Sequence, residues 1–168
     1  MQAWIGLGGN REDSAQLLEA AVELIDDLPA TSVRQRSSLY RSAPWGEENQ
    51  PDFVNAVLQL ETALEPGLLL RSLLGIETAL GRVRTDARWG PRCIDIDLLS
   101  YEDLRMQSDE LTLPHPYMHE RAFVLLPLLE LAPEFHIPGL GPAVEQLAKL
   151  SAAERKSVAA VQPEQRKQ

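Results

Sequence analysis

The chain has 168 residues, a length that fits one domain with a substantial hydrophobic core. Its formal net charge of -9 at pH 7 argues against a general binder of nucleic acid or anionic membranes, because such proteins carry broad basic surfaces. The one cysteine, Cys93, excludes an intramolecular disulfide and a cysteine zinc cluster. We therefore expect a single domain over residues 1–160 and a frayed tail over residues 161–168.

The N-terminal segment lacks the basic stretch and the long apolar stretch of a secretory signal peptide. The longest apolar segment covers residues 122–132, which is too short to span a bilayer, and it contains Pro127 and Glu130. Such a segment is typical of a buried helix. These features predict a cytoplasmic protein.

Apolar periodicity predicts alternating strands and helices along most of the chain. The predicted elements are, in chain order, a strand at residues 3–7, a turn at 8–10, a helix at 17–28, strands at 32–41 and 53–61, a helix at 66–80 and a strand at 94–99. The resulting βαββαβ order predicts an α+β fold of the ferredoxin-like type. In that fold an antiparallel sheet carries both helices on one face, and its other face stays available for ligands.

Further elements are predicted after this core. The pattern indicates a short strand at residues 111–113 and helices at 119–131 and 143–150. From about Ser151 onward there is no clear apolar stripe, so we expect a frayed end.

Two carboxylates alternate with aliphatic residues on the last predicted core strand. Ile94, Ile96 and Leu98 fall on one face, and Asp95 and Asp97 fall on the other. A solvated strand face is the ordinary explanation of such a pair. Here, however, two carboxylates on one face repel each other, and several arginines lie nearby in the sequence. This combination favours a site that binds a cation. Hard oxygen ligands suit Mg²⁺ rather than zinc.

The segment before this strand is basic and contains glycine and proline, so it predicts a loop. Its arginines are interleaved with Trp89, and they are Arg82, Arg84, Arg88 and Arg92. Guanidinium groups bind phosphate oxygens in pairs, and an indole covers flat heterocycles. The residues alone are equally compatible with two interpretations: a loop that closes over a nucleotide, and arginines that are scattered surface charge.

Other candidates are weaker when taken one at a time. His115 lies between two prolines that restrict its backbone, and Arg121 follows as a second possible phosphate donor. Phe53 and Phe123 are ordinary core residues by their type, although Asn55 shares a strand face with Phe53 and its amide can bind a heterocycle edge.

Taken together, these motifs resemble the 6-hydroxymethyl-7,8-dihydropterin pyrophosphokinase family over residues 4–135. The signature of the family stands intact as Trp89-Gly-Pro-Arg-Cys-Ile-Asp-Ile-Asp-Leu-Leu99. Further matching blocks are Gly8-Gly-Asn10, Tyr40-Arg-Ser-Ala-Pro44, Gln50-Pro-Asp-Phe-Val-Asn55, Gly81-Arg-Val-Arg84, Pro114-His-Pro116 and His119-Glu-Arg-Ala-Phe-Val124.

The resemblance implies a reaction between ATP and 6-hydroxymethyl-7,8-dihydropterin, with AMP as a product. It implies that Asp95 and Asp97 bind two Mg²⁺ ions and that Arg82 and Arg92 share in catalysis. The implied ATP-binding residues are Glu77, Arg84, Trp89, Arg92, Leu111, Thr112, His115 and Arg121. The implied pterin-binding residues are Ser42, Ala43, Pro44, Trp45, Phe53, Asn55, Trp89 and Phe123. A monomer that binds neither nucleic acid nor membranes is the corresponding expectation.

Three positions depart from many relatives: Gly9 replaces serine, Ser42 replaces threonine and Trp45 replaces a smaller aliphatic residue. None of them removes an implied metal or phosphate ligand. Two other functions stay open at this point. A ferredoxin-like nucleotidyl transferase or cyclase would also present paired aspartates but would release pyrophosphate, and a ferredoxin-like ligand-binding or RNA-binding module would have no activity.

Overall fold

The computed structural model describes residues 1–43, 51–81 and 94–161. Within these ranges the elements are, in chain order, β1 (Gln2–Gly9), α1 (Ser14–Asp26), β2 (Thr31–Arg36), β3 (Tyr40–Ser42), β4 (Phe53–Thr62), α2 (Pro66–Ala79), β5 (Asp95–Tyr101), β6 (Met106–Gln107), β7 (Thr112–Leu113), a 3₁₀ turn (Met118–Glu120), α3 (Ala122–Leu131), β8 (His136–Ile137), β9 (Gly141–Pro142), α4 (Ala143–Ala148), α5 (Ala152–Lys156) and β10 (Val158–Ala160).

The main sheet is antiparallel at every pairing found among the described residues. Strand β1 lies between β5 and β4, and β4 pairs in turn with both β2 and β3. Strand β10 adds to the sheet beyond β3. The predicted βαββαβ order and ferredoxin-like arrangement are therefore confirmed, with β2 and β3 together taking the place of one predicted strand.

Helices α1 and α2 pack against the same face of this sheet, as predicted. Leu18 and Ile25 of α1 and Leu69 and Leu73 of α2 are at most 2% exposed and share one core with the sheet. Proline in the first turn of α2 and Gly81 after its end, with φ of +92°, match the predicted boundaries. We call this set of buried residues the helix-side core.

The opposite face of the sheet was predicted to stay available for ligands, and this is wrong for one half of it. Trp4, Val57 and Leu99 point to that face and pack against α3, where Leu125 and Leu128 are 0% exposed. The apolar composition of α3 requires this burial, because nearly all of its surface is hydrophobic. We call this set of buried residues the second core.

Hydrogen bonds accepted by Glu130 connect α3 to the sheet. Its two carboxylate oxygens accept from the Tyr40 hydroxyl at 2.8 Å and from the Ser38 amide at 2.7 Å. Burial of the phenol and its bond to Glu130 raise the pKa of Tyr40 to about 12. The helix is therefore held to the strand that leads toward Ser42.

The predicted strand over residues 32–41 is interrupted at Ser37. The register shifts between Val33 and Gln35, and the Ser37 hydroxyl then accepts from the Val57 amide at 2.9 Å in place of a backbone carbonyl. A serine side chain can replace a ladder acceptor in this way, which ends β2. The chain then turns Leu39 inward, where it is 7% exposed.

Three other expectations are corrected. Gly8 and Gly9, predicted as a turn, belong to β1. The predicted helix over residues 119–131 is divided at Arg121, whose backbone is extended with φ of -118° and ψ of 105°. The chain does not fray at Ser151, because its hydroxyl caps α5 by accepting from the Glu154 amide and β10 then pairs with β3. In the three described ranges, no helix has the length and apolar character needed to cross a membrane.

Candidate active site

Strand β5 presents Asp95 and Asp97 on one face, as the alternating pattern predicted. Ile96 and Leu98, which lie between and after them, are 2% and 3% exposed in the helix-side core. The two aspartates are partly buried on the opposite face. Their Cα atoms are separated by two residues of strand, roughly 7 Å, so both carboxylates can reach the same group of ligands.

Glu77 stabilises the backbone between these aspartates. It projects from α2 at 4% exposure, and its Oε1 accepts a hydrogen bond from the Ile96 amide at 2.7 Å. Among the described strands β5 lies at the edge of the sheet, and the Ile96 amide points outward to Glu77 rather than to β1. A buried carboxylate thus satisfies an edge N–H and holds the strand in place.

A row of paired residues crosses the sheet at the level of Asp95. Asp95 pairs with Gly8 of β1, Gly8 pairs with Asn55 of β4, and Asn55 pairs with Tyr40 of β3. Directly paired residues share a face of an antiparallel sheet. Asp95 and Asn55 are therefore separated by two strand spacings, about 10 Å, with a glycine between them.

Gly8 opens the surface between these two side chains. A Cβ placed on Gly8 would lie only 3.0 Å from Asn55 Oδ1, whereas a Cβ placed on Gly6 would lie 3.4 Å from the Leu99 side chain. Any larger residue at position 8 would occupy the space above the strand. The glycine thus leaves the space above β1 free of a side chain, with a carboxylate on the neighbouring strand at one side and an amide at the other.

The amide of Asn55 is held by Ser42. Asn55 Nδ2 donates to Ser42 Oγ at 2.8 Å, and both residues are 4% exposed. Phe53 lies two residues before Asn55 on the same strand face and pairs with Ser42, and it is partly buried. The structure thus brings together Ser42, Phe53 and Asn55, while Ala43 is exposed beside them.

A second cluster lies next to β5, on the segment between β7 and α3. The backbone amide of His115 donates to the Leu99 carbonyl at 2.8 Å, which ties this segment to the strand of the aspartates. The guanidinium carbon of Arg121 lies 5.5 Å from the ring centroid of Tyr117 and 5.7 Å from that of Phe123. His115, Arg121 and Phe123, all predicted site residues, are therefore neighbours.

His115 is neutral in this cluster. Burial and the nearby Arg121 charge lower the pKa of His115 from 6.5 to about 4. Its Nδ1 accepts from the Tyr117 backbone amide at 3.2 Å. A neutral imidazole that accepts at Nδ1 carries its proton on Nε2, so this side chain offers a donor without a full charge.

An open pocket of about 490 Å³ lies on one side of His115. Thr112 lines it together with Arg105 and His119. Leu111, predicted beside Thr112, is 7% exposed in the helix-side core and does not line this pocket. The two residues alternate on β7 and its approach, so they point in opposite directions.

Six predicted site residues lie outside the described ranges: Pro44, Trp45, Arg82, Arg84, Trp89 and Arg92. Two residues were missed by reasoning from the sequence. Gly8 could have been found by extending the strand period, because Gly6 and Gly8 alternate with Ile5 and Leu7. Tyr117 carried no signal, because its contacts depend on how the chain turns before α3.

Comparison with known proteins identifies the family. A family model described as 7,8-dihydro-6-hydroxymethylpterin-pyrophosphokinase (HPPK) matches residues 4–133. The 2-amino-4-hydroxy-6-hydroxymethyldihydropteridine pyrophosphokinase of Methylorubrum extorquens is 48% identical over 149 residues, which cover 89% of this chain and 93% of that protein. The protein of the same name from Haemophilus influenzae is 44% identical over 136 residues, covering 81% and 84%.

Solved structures agree on the fold. A Plasmodium falciparum HPPK-DHPS triple mutant superposes with a TM-score of 0.70 at 16% identity over 88% of this chain. An HPPK-DHPS in complex with substrates gives 0.72 at 15% identity over 95% of this chain. The matches cover 43% and 46% of those longer chains, so this chain spans less than half of each. By sequence and by fold, the chain belongs to the 7,8-dihydro-6-hydroxymethylpterin-pyrophosphokinase family.

Proposed function

We infer that this chain transfers the pyrophosphoryl group of ATP to the hydroxymethyl oxygen of 6-hydroxymethyl-7,8-dihydropterin, in the synthesis of folate. The observation that carries this function in the structure is the row across the sheet, with Asp95 and Asn55 on either side of Gly8. One side offers carboxylates for a metal–phosphate complex. The other offers an amide beside an aromatic ring for a heterocycle.

We propose that Asp95 and Asp97 hold Mg²⁺, as two ions that arrive with ATP. Within the described ranges no three His, Cys, Asp or Glu side chains gather into a metal cluster. Two carboxylates on one strand face nevertheless fit Mg²⁺, which is usually bound by one or two carboxylates plus phosphates and water. When bound, the metal would neutralise phosphate charge and clamp the entering and leaving oxygens.

The pterin side of the site is proposed to consist of Ser42, Ala43, Phe53, Asn55 and Phe123, with Pro44, Trp45 and Trp89 from outside the described ranges. The bond from Asn55 Nδ2 to Ser42 fixes which way the amide faces. Its Oδ1 then lies above Gly8, where it can accept from an N–H on the edge of the ring. Recognition of a heterocycle needs this fixed orientation.

The phosphate side is proposed to use Glu77, Thr112, Leu111, His115 and Arg121, with Arg82, Arg84, Trp89 and Arg92 from outside the described ranges. Glu77 acts here through the backbone of β5, whereas His115 and Arg121 offer donors. Guanidinium groups match phosphate oxygens in pairs. Arg82 and Arg92 would stabilise the charge that moves during transfer.

In the proposed reaction the hydroxymethyl oxygen forms a bond to the β-phosphorus, and the bond from that phosphorus to the bridging oxygen of AMP breaks. The hydroxyl proton is released, AMP leaves and the pterin carries a diphosphate. Transfers of this kind depend mainly on positioning and on stabilisation of charge. The residues of this chain would supply positioning and charge stabilisation, and no covalent intermediate with the protein is needed.

The assignment is tested by Asp95→Asn and Asp97→Asn, which keep the side-chain shape and remove the charge. Each should lower the rate of AMP formation at least about 100-fold, because a neutral amide binds a metal ion much more weakly than a carboxylate does. Far-UV circular dichroism should be unchanged. Asp103→Asn, on an exposed turn after β5, is the matched control and should keep normal turnover.

Near-normal AMP formation by both site variants would overturn the metal assignment. Product analysis of the unsubstituted protein tests the reaction itself. AMP and a pterin diphosphate are expected, whereas release of pyrophosphate would indicate a nucleotidyl transferase.

We propose in addition a monomer of one domain, over residues 1–160, that acts in the cytoplasm. Support for one domain comes from the main sheet, whose pairings join strands from β1 near the start of the chain to β10 near residue 160. Sedimentation at assay concentration should give the mass of one chain. A dimer at that concentration would contradict the proposed oligomeric state and leave the reaction untouched.

A further inference from the structure

Tyr117 lies between two side chains that the proposed function assigns to phosphate. It precedes the 3₁₀ turn and is 54% exposed. Its backbone contacts His115, and its ring contacts both His115 and Arg121. We propose that Tyr117 is a positioning residue for the triphosphate of ATP, which it serves by orienting His115 and Arg121. This proposal rests on the proposed function.

The backbone and the ring of Tyr117 both contact His115. The Tyr117 amide donates to its Nδ1 at 3.2 Å, and the two rings meet edge to face, with centroids 6.1 Å apart and planes at 63°. The backbone amide of His115 is bonded to Leu99 of β5. Main chain and ring are thus both held, and within the described part of the chain the Nε2–H is the ring donor that remains for an anionic oxygen.

The ring of Tyr117 also contacts Arg121. Its guanidinium carbon lies 5.5 Å from the Tyr117 ring centroid and 5.7 Å from the Phe123 ring centroid, so two aromatic rings restrict it. A cation–π contact is an attraction between a ring and the guanidinium charge, and the N–H donors of the guanidinium still need acceptor atoms. The rings therefore position the charge without using the donors that a phosphate needs.

The exposure of Tyr117 allows a positioning role to be separated from a role in stability. With more than half of its surface exposed, the Tyr117 side chain buries little apolar area, so its loss should barely change the unfolding temperature. The cation–π contact is worth about a two- to fivefold change in an equilibrium or rate when it is exposed. A kinetic defect without a stability defect is thus the expected signature.

Tyr117→Leu is the test, and Tyr117→Phe is its matched control because it keeps the ring. Tyr117→Leu should raise the KM for ATP about two- to fivefold, with the KM for the pterin close to normal. Tyr117→Phe should restore normal values. The unfolding temperature of both should stay within about 2 °C of the unsubstituted protein.

A double-mutant cycle tests whether Tyr117 acts through Arg121. In an Arg121→Gln background, adding Tyr117→Leu should have little further effect on the KM for ATP. An undiminished effect in that background would overturn the proposal, and so would normal kinetics of Tyr117→Leu in the otherwise unsubstituted chain.

Calorimetric titration with Mg-ATP gives the same comparison without turnover. Failure of the unsubstituted protein to form AMP would overturn the proposed function. The calorimetric titration would still decide the Tyr117 proposal, because it measures binding of Mg-ATP directly. If Arg121→Gln binds Mg-ATP normally, Arg121 is not a phosphate ligand, and the positioning proposal is overturned while the proposed reaction stands.

Discussion

At the scale of single residues, the site combines groups with opposite electrostatic demands. Asp95 and Asp97 are the carboxylates proposed to bind cations, whereas His115 stays uncharged within reach of the Arg121 guanidinium. An uncharged imidazole can stand beside an arginine without repulsion, so both can face the same anion. Because His115 is neutral in the fold, acid should lower the stability of the folded chain.

We predict that His115 makes the fold sensitive to acid. Its pKa is about 4 in the fold and 6.5 ordinarily, so the unfolded chain binds more protons between these values. Stability contributed in this way is complete above about pH 6.5 and is lost as the pH falls toward 4. His115→Gln should remove this loss, which urea unfolding midpoints at pH 7 and pH 4.5 would measure.

The comparison has an internal control. From about one pH unit above 6.5 upward, the two chains should differ in unfolding free energy by a constant, because His115 is then neutral in both states. If both chains lose the same stability between pH 7 and pH 4.5, His115 does not carry the predicted effect.

Individual site residues could be predicted when a local pattern places them. The period of two along β5 was enough to put Asp95 and Asp97 on one face, and the same period placed Phe53 with Asn55. Gly8 was misassigned to a turn because glycine favours turns locally. Its strand conformation is imposed by pairing with both β4 and β5, and that tertiary contact leaves no trace in the local sequence.

At the scale of elements, the C-terminal strand β10 stabilises the sheet next to the site, although its polar neighbours predicted a frayed end. Strand β10 pairs with β3, with Val158 opposite Ser42. The Val161 amide donates to the Leu39 carbonyl at 2.8 Å, and Val158 and Val161 are both 7% exposed. The C-terminal strand therefore protects the edge beside the residue that holds Asn55.

We predict that Val158→Asp destabilises the fold by about 2 kcal/mol, because it places a carboxylate in a buried apolar position. The KM for the pterin should rise more than the KM for ATP, since Ser42 is opposite the changed residue. Ala159→Asp, at an exposed position of the same strand, is the control and should be nearly neutral. Equal unfolding midpoints of the two variants would contradict the structural role of β10.

The sequence predicted the type and order of long elements well, and it predicted short or interrupted ones poorly. Helices α1 and α2 have many apolar residues at helical spacing, so their existence follows from period alone. The break at Ser37 depends on one hydroxyl that replaces a ladder acceptor. Strand β10 has three residues, which is too few to show a period among polar neighbours.

At the scale of the whole molecule, one sheet separates two cores and belongs to both. On β1, Ile5 faces the helix-side core while Trp4 faces the second core, and on β4 Leu58 and Val57 divide in the same way. Neither core can therefore lose its sheet without exposing the other. This arrangement explains how a face predicted to be open is covered in part by α3.

Trp4 provides a probe of the second core, because its ring meets Phe135 edge to face at 5.2 Å between centroids. The chain has three tryptophans, so Trp45→Phe and Trp89→Phe leave Trp4 as the only indole. In that background its fluorescence reports the second core, while far-UV circular dichroism reports the secondary structure of the whole described fold.

We predict that both cores unfold in one cooperative transition. Leu73→Ala in the helix-side core and Leu128→Ala in the second core should each cost about 2–5 kcal/mol, because both side chains are 0% exposed. Each should shift the Trp4 signal and the circular dichroism together, as a two-state transition requires. Leu68→Ala, 46% exposed on α2, is the control and should change stability by less than about 0.5 kcal/mol. A Trp4 transition that stays in place when Leu73 is truncated would mean that the second core is stable without the helix-side core, in which case the shared sheet does not couple them.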